Sequence, residues 1–184
     1  MEALQKEKHY TYADYEKWDS YPRCELIDGV IYLMSVPTEA HQWIGGELFV
    51  QLKDFLRGKS CRVYYSPFDV RLNYDTEDDI VVQPDILVVC DRSKLENGKY
   101  CLGAPDFIIE ILSPFNNKHD TIVKLKKYLQ AGVKEYWVVD PDNKTVVAHR
   151  LMDKQYVTIA YGEKDDAPVT TLEGCIIRLN EVFT

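Results

Sequence analysis

The sequence predicts an α/β domain in which a mixed β-sheet is flanked by helices and carries additional β-hairpins. Short apolar runs of strand length alternate with two longer stretches, 39–57 and 117–130, whose apolar residues recur at helical spacing. The order strand–strand–helix–strand is typical of a mixed sheet covered by helices. With 184 residues, of which 46% are hydrophobic and 28% charged, the chain fits one domain with a sizeable core.

The first half of the chain predicts a hairpin, a long helix and several extended segments. Asp28-Gly29 is a strong signal for the tight turn of the hairpin. The long helix carries Gly45-Gly46, which weakens it but allows close packing, and Gly58 ends it. In chain order the predicted elements are a short helix at 10–18, strands at 24–28 and 30–35, the helix at 39–57, extended segments at 62–65 and 68–72, and a buried strand at 85–90.

The second half predicts strands on either side of an amphipathic helix, followed by a hairpin. The helix ends at Gly132, and we expect Ile122, Leu125, Tyr128 and Leu129 on its apolar side. Asp140-Pro141 stops the strand after it. The predicted elements are strands at 106–112 and 136–139 around the helix at 117–130, and a hairpin formed by 145–151 and 155–161.

Charge and cysteine content exclude several classes of protein. Thirty acidic and 22 basic residues give a net charge of −8, which argues against general nucleic-acid affinity but leaves room for a local basic groove. The five cysteines are scattered and form no Cys-x-x-Cys pair, so neither a zinc ribbon nor a disulfide framework is expected, and buried thiols are the simpler interpretation.

No membrane segment is expected. No apolar run approaches the roughly 18–20 residues that span a bilayer, and Met1–Lys8 is polar and lacks the apolar stretch of a secretory signal. We therefore expect a cytoplasmic protein.

Two acidic residues stand where a strand is expected to be buried. Asp85 follows Gln83-Pro84 and opens one strand, and Glu110 lies in the middle of the apolar run Phe107–Leu112. Such a strand is usually buried on both faces, where an unpaired carboxylate is costly, so Glu110 needs a cation, a proton or a ligand. Two such acids on neighbouring strands would form a hard oxygen site for Mg²⁺, with Mn²⁺ as the other candidate.

Lys124 completes the candidate site from the following helix, 14 residues after Glu110. Two acids and a lysine around a divalent ion suit phosphodiester hydrolysis, because the metal activates water and polarises the phosphoryl group while the ammonium stabilises developing charge. The alternative is that Asp85 and Glu110 form a buried polar network that serves only the structure.

An ordered set of short segments resembles one family. The segments are Glu25–Gly29, His41-Gln42, Ser66–Val70, Gln83–Asp85, Glu110–Pro114, the stretch from Lys124 to Val133, and Glu135–Pro141. Together they cover about 12–151 and resemble the Uma family of restriction endonucleases, a branch of the PD-(D/E)XK nuclease superfamily. The resemblance implies a restriction-endonuclease-like fold and one nuclease-like domain over 1–184, with a core at about 12–151 and a C-terminal hairpin extension at about 144–184.

The resemblance also implies a role for each site residue. Asp85 and Glu110 match the metal-binding acids of the superfamily. The lysine that the superfamily places two residues after the second acid is replaced here by Leu112. The Uma branch takes its lysine from the following helix, where Lys124 matches, and Lys127 is the other candidate because it lies three residues later and can share the same face.

Glu25 and His41 match two further positions, for which the resemblance implies auxiliary catalytic roles. Glu25 precedes the Asp28-Gly29 turn, and His41 lies in the first turn of the long helix. In related nucleases a polar residue on that helix often completes the metal or water shell. The alternatives are a salt bridge on an edge strand for Glu25 and a surface or capping role for His41.

The implied activity is Mg²⁺-dependent hydrolysis of DNA phosphodiester bonds, carried out by a homodimer whose two sites address two strands. Five lysines and one acid between Lys118 and Lys134 give a local charge of +4 that could hold a phosphate backbone, although such a face is often merely solvated. Two other classes stay open. One is a nuclease-fold module that binds nucleic acid or assembles without cleaving, and the other is a metal-dependent hydrolase of a small phosphoester.

Overall fold

The described part of the chain comprises residues 8–18, 23–96, 98–113 and 118–184 of a computed structural model, with only the backbone described for 118–121. Its helices are α1 (Tyr12–Tyr15), α2 (Glu39–Phe55), α3 (Lys118–Ala131) and α4 (Leu179–Val182), with a 3₁₀ turn at Arg92–Leu95. Within these ranges no helix is both long and apolar enough to cross a membrane.

The strands are mostly short. They are β1 (Cys24–Ile27), β2 (Val30–Leu33), β3 (Arg62–Tyr65), β4 (Val70–Arg71), β5 (Val81–Val82), β6 (Ile86–Val89), β7 (Cys101–Leu102), β8 (Phe107–Ile111), β9 (Glu135–Asp140), β10 (Thr145–Met152), β11 (Gln155–Gly162), β12 (Asp166–Val169) and β13 (Cys175–Arg178).

The largest sheet is mixed and has six strands in the order β11-β10-β9-β8-β6-β3. Strands β8 and β9 run parallel, and α3 lies in the connection between them, as a parallel pair requires. The remaining neighbours are antiparallel. Strands β6 and β8 are buried at every residue, as expected of strands covered on both faces. The predicted mixed sheet with flanking helices is therefore confirmed, and the β10–β11 hairpin extends it.

A second sheet of five short strands has the order β2-β1-β5-β4-β7, and β12 pairs with β13 separately. The β1–β2 hairpin turns at Asp28 and Gly29, whose φ angles of 50° and 72° suit the tight turn that the sequence predicts. Strands β4, β5 and β7 have two residues each, so they show no alternation by which the sequence could reveal this sheet.

Two apolar clusters cover the two faces of the large sheet. One contains Phe107, Ile109 and Trp137 together with residues of α2 and of the β12–β13 pair. The other contains Ile108 and Tyr136 with residues of α3 and of the second sheet. Because side chains alternate along a strand, Glu110 in β8 lies on the face of the second cluster.

Helix α2 confirms its predicted buried face, and Gly45 explains its close approach to β8. Ile44, Leu48 and Leu52 are buried as expected. A Cβ atom at Gly45 would lie 3.3 Å from Cδ1 of Ile111. The close packing predicted for the Gly45-Gly46 pair therefore depends on its first glycine.

Helix α3 differs from the prediction at one position. Ile122 is 54% exposed, so its assignment to the apolar side is wrong. The inward face of α3 runs through Lys124 and the fully buried Tyr128, four residues apart. Ile122 is displaced by two residues from Lys124, which is more than half a turn, and therefore faces solvent.

The prediction that all cysteines are free thiols is wrong for one pair. Cys61 and Cys90 form a disulfide across 29 residues of sequence. The register of β3 with β6 pairs Arg62 with Val89 and therefore brings the two flanking cysteines opposite each other. Their pairing depends on this register, which the spacing of cysteines in the sequence does not reveal. Three cysteines, 24, 101 and 175, are free and buried as predicted.

Candidate functional site

All five predicted site residues line one cavity of about 130 Å³. They come from five different elements: β1, the first turn of α2, the entry to β6, strand β8 and helix α3. In chain order they are Glu25, His41, Asp85, Glu110 and Lys124. The structure therefore brings together residues that are separated by up to 99 positions in the sequence.

The register between β6 and β8 places the two predicted metal ligands side by side. Ile86 pairs with Ile109, so the next pair along the strands is Asp85 and Glu110. Directly opposed residues point to the same face with Cβ atoms about 5 Å apart. Both carboxylates therefore face the same cavity.

Glu110 is a buried acid whose ionisation is disfavoured. Its Oε1 accepts hydrogen bonds from the Tyr128 hydroxyl at 2.6 Å and from Nζ of Lys124 at 3.0 Å. Burial raises the pKa of Glu110 to about 7, against the effect of Lys124 and with the support of the Asp85 and Glu25 charges. A nearby cation favours the ionised form of a carboxyl group with this pKa.

Lys124 is the cation that lies next to Glu110. Its Nζ lies 2.8 Å from Oε1 of Glu25 and 3.0 Å from Oε1 of Glu110. Burial lowers the pKa of Lys124, but the Glu110 and Glu25 carboxylates outweigh it and raise that pKa above its usual value. Lys127 instead lies 2.6 Å from Oδ1 of Asp28, so the geometry brings Lys124 and not Lys127 to the acids.

Glu25 fixes Lys124 from the second sheet. Strand β1 lies between β2 and β5, so Glu25 is not on an edge strand, contrary to the alternative considered from the sequence. Besides contacting Lys124, its Oε1 accepts a hydrogen bond from the backbone N–H of Gln83 at 2.8 Å. Glu25 does form a salt bridge, as that alternative stated, but it forms it with Lys124 of the site.

His41 and the backbone of β8 hold Asp85. The Nε2 atom of His41 and the Ile111 N–H lie 3.1 Å and 2.8 Å from Oδ2 of Asp85. Burial lowers the pKa of His41, but its hydrogen bond to Asp85 and that charge raise it overall. The Thr38 side chain caps α2 by accepting the His41 N–H at 3.2 Å, which fixes the helix start next to the site.

The residues at the site fit a divalent cation. Among the described residues, hydrogen bonds reach only Oδ2 of Asp85 and only Oε1 of Glu110. The second oxygen of each acid is therefore left for a ligand. Two neighbouring carboxylate oxygens are the donors that Mg²⁺ and Mn²⁺ prefer, and Mg²⁺ typically uses one or two carboxylates in addition to substrate phosphates and waters.

A family model described as "Uma2: Putative restriction endonuclease" matches residues 12–180. The chain belongs to the Uma2 family. The family resemblance that the sequence segments indicate is thereby confirmed. No curated protein matches the sequence.

A solved structure agrees with this fold. A crystal structure described as "a putative nuclease belonging to DUF820 from Anabaena variabilis" superposes with a TM-score of 0.78 at 23% identity, covering 95% of this chain and 97% of that one. At this identity the likeness shows that the Uma2 chain has the fold of that protein.

Sequence reasoning gave no site role to Tyr128, Tyr136 or Arg23, and for Ser113 it considered a hydrogen bond to the site, which the described residues do not show. Tyr128, one helical turn after Lys124, holds Glu110, and its i to i+4 spacing from Lys124 is the signal for this contact. Tyr136 and Ser113 line the cavity with buried hydroxyls that have no hydrogen-bond partner in the described part of the chain. Arg23 lines it too, and its position two residues before Glu25 on an extended segment could have indicated a shared face.

A second cluster of metal-ligand type lies outside the predicted site. His9, Glu77 and Asp79 offer ligand atoms within 4.8 Å of one another. Nε2 of His9 already lies 2.9 Å from Oδ2 of Asp79, so a direct contact between these two side chains accounts for their closeness.

The basic stretch 118–134 carries less free charge than its composition indicates. Lys124, Lys127 and Lys134 each contact a carboxylate at 3.0 Å or less. Lys126 is exposed, and the side chain of Lys118 lies outside the described residues. The helix therefore directs most of its described positive charge inward or onto neighbouring acids.

Proposed function

We propose that this Uma2 protein is a Mg²⁺-dependent endonuclease that hydrolyses DNA phosphodiester bonds. The observation that carries the proposal is the pair Asp85 and Glu110, which face one cavity with one carboxylate oxygen each free of hydrogen bonds in the described chain. Membership in a family of restriction endonucleases supports the choice of DNA as substrate.

Asp85 and Glu110 would hold the metal ion through their free oxygens. When bound, the metal would polarise the phosphoryl group and lower the pKa of the attacking water. Tyr128 and Lys124 hold Oε1 of Glu110 and so fix the direction of its second oxygen. His41 does the same for Asp85 by occupying Oδ2.

Lys124 stabilises the negative charge that develops on the phosphate. Its raised pKa keeps the ammonium charged at neutral pH, and Glu25 anchors it beside Glu110. A charged donor that is already in position does not have to reorient when the negative charge develops. This preorganisation is the main source of electrostatic stabilisation of a transition state. His41 and Glu25 thus act on the ligands and the lysine rather than on the phosphate itself.

Three further properties belong to the same proposal. We propose one domain over the 184 residues, location in the cytoplasm, and a homodimer that brings two sites to the two strands of duplex DNA. Sedimentation of the protein with and without duplex DNA tests the dimer directly.

The deciding experiment measures cleavage of plasmid and single-stranded DNA with Mg²⁺, with Mn²⁺ and with a chelator. We expect cleavage that requires metal and is lost in Asp85→Asn. Asp54→Asn, at an exposed ion pair on α2, is the matched control and should cut normally. DNA binding without cleavage would favour the non-catalytic module, and hydrolysis confined to bis(p-nitrophenyl) phosphate would favour the small-phosphoester hydrolase.

A further inference from the structure

Arg23 lies at the wall of the cavity and is held there by two side chains. It precedes β1 by one residue and lines the same cavity as Glu25. Its Nε donates to Oε1 of Gln83 at 2.8 Å, and a terminal guanidinium nitrogen donates to the Ser66 hydroxyl. Arg23 remains exposed, so the rest of the guanidinium can meet a ligand.

The orientation of the Gln83 amide is fixed by the hydrogen bonds that its nitrogen donates. Its Nε2 donates to Oδ1 of Asp69 at 2.7 Å and to the Tyr15 hydroxyl at 3.1 Å. Because the amide nitrogen faces a carboxylate, the amide oxygen must face Arg23. The backbone N–H of Gln83 also donates to Glu25. One buried residue therefore sets the position of the guanidinium relative to the acidic site.

No carboxylate is hydrogen-bonded to the guanidinium of Arg23 among the described residues. In the described ranges its hydrogen-bond partners are an amide oxygen and a hydroxyl, both neutral, whereas Lys124 is bonded to two glutamates. A guanidinium has five donors in a planar fork that matches two phosphate oxygens. Arg23 is thus a second cation of the cavity, beside Lys124, and it has guanidinium donors left for an anion.

We infer that Arg23 binds a phosphate of the substrate backbone beside the metal-binding acids and that Gln83 positions it for this contact. The inference rests on the proposed function, because it identifies a substrate-binding residue of the same site. Three acidic residues, Glu25, Asp85 and Glu110, line the same cavity as Arg23, so a divalent ion bound there would favour the approach of a phosphodiester to Arg23.

The test compares Arg23→Met with Arg92→Met, which removes the same charge from an exposed arginine outside the cavity. We expect the KM for DNA to rise about tenfold in Arg23→Met, with kcat within about threefold of wild type. With Ca²⁺ replacing Mg²⁺, the slope of log affinity for DNA against log salt should become about one unit shallower. Mn²⁺ affinity should not change, and Arg92→Met should match wild type.

Gln83→Leu tests the positioning role. It should also raise KM, and the double variant with Arg23→Met should be no worse than Arg23→Met alone, because Gln83 acts through that arginine. Additive losses would overturn the positioning role.

The outcomes separate this inference from the function on which it rests. Metal-dependent cleavage with equal KM values in Arg23→Met and Arg92→Met would overturn the inference alone. If the wild-type protein hydrolyses only bis(p-nitrophenyl) phosphate, the DNA substrate is wrong, and the KM for that diester decides the role of Arg23. A wild-type protein that neither cleaves nor binds either diester would overturn both.

Discussion

Two buried glutamates on neighbouring parallel strands have opposite environments. Glu135 begins β9 and is fully buried beside Phe107 of β8. Its Oε1 accepts from Nε1 of Trp137 at 2.8 Å and lies 3.4 Å from Nε of Arg150. Its Oε2 accepts three hydrogen bonds at 2.8–3.0 Å from the two threonines that follow β12.

Glu110 differs in having donors on one oxygen only. Tyr128 and Lys124 both bond to Oε1, no described residue donates to the second oxygen, and Glu110 lines the cavity. The two glutamates also lie on opposite faces of the sheet, Glu135 toward the cluster under α2 and Glu110 toward α3. A buried acid with both oxygens satisfied connects structural elements, whereas one with a free oxygen at a cavity can bind a ligand.

The largest expected effect is on catalysis. Glu110→Gln should lower metal-dependent cleavage by about a thousandfold or more, because an amide replaces a charged ligand of an ion that contributes several kcal/mol. Glu135→Gln should keep the rate within about threefold when assayed at a temperature where it is folded. Equal losses in the two variants would remove the distinction between the two sites.

Stability should respond in the opposite way. Glu135→Gln should lower the free energy of unfolding by about 3 kcal/mol, because it leaves the half-buried Arg150 charge without its fully buried carboxylate partner. Chemical denaturation at pH 7 measures this. An unchanged denaturation midpoint would show that Glu135 does not hold β9 to the segment after β12.

The lysine partner of Glu110 can be tested against its neighbour on the same helix. Lys124→Met should lower kcat about a hundredfold, because it removes a preorganised charge next to the acids. Lys127→Met removes a lysine paired with the exposed Asp28 and should change kcat less than twofold. If Lys127→Met has the larger effect, the lysine role belongs to Lys127.

The pH dependence of stability should differ between wild type and Glu110→Gln, both measured with a chelator. The folded pKa of about 7 exceeds the ordinary value of 4.5, so native Glu110 binds its proton more tightly than the unfolded chain does. Its contribution is present below about pH 4.5 and is lost as the pH rises to about 7. The variant should therefore gain about 3 kcal/mol over wild type across this range. A constant difference would contradict the raised pKa.

The sequence predicts the acids of the site better than the contacts that hold them. Asp85 and Glu110 stand out because a charge in an apolar strand needs a partner, and this holds whatever the topology. The choice between Lys124 and Lys127 depends on the rotation of α3, since both lie near one face and only the structure shows Asp28 opposite the second.

Contacts that depend on sheet topology could not be predicted. Gln83 reaches Glu25 across 58 residues through the short strand β5, and Cys61 meets Cys90 only because β3 pairs with β6 in one register. Two-residue strands carry no periodic signal. The long elements were predictable for the opposite reason, since α2 shows several turns of regular spacing and the β10–β11 hairpin has eight residues in each strand.

The close approach at Gly45 has a consequence for how the sequence can vary. Ile111 packs against this glycine through its side chain and holds Asp85 through its backbone N–H, while His41, one turn before Gly45, holds the same carboxylate from α2. The helix–strand distance and the orientation of Asp85 are therefore set together. We expect positions 45 and 111 to covary among relatives, with a larger residue at one accompanied by a smaller residue at the other.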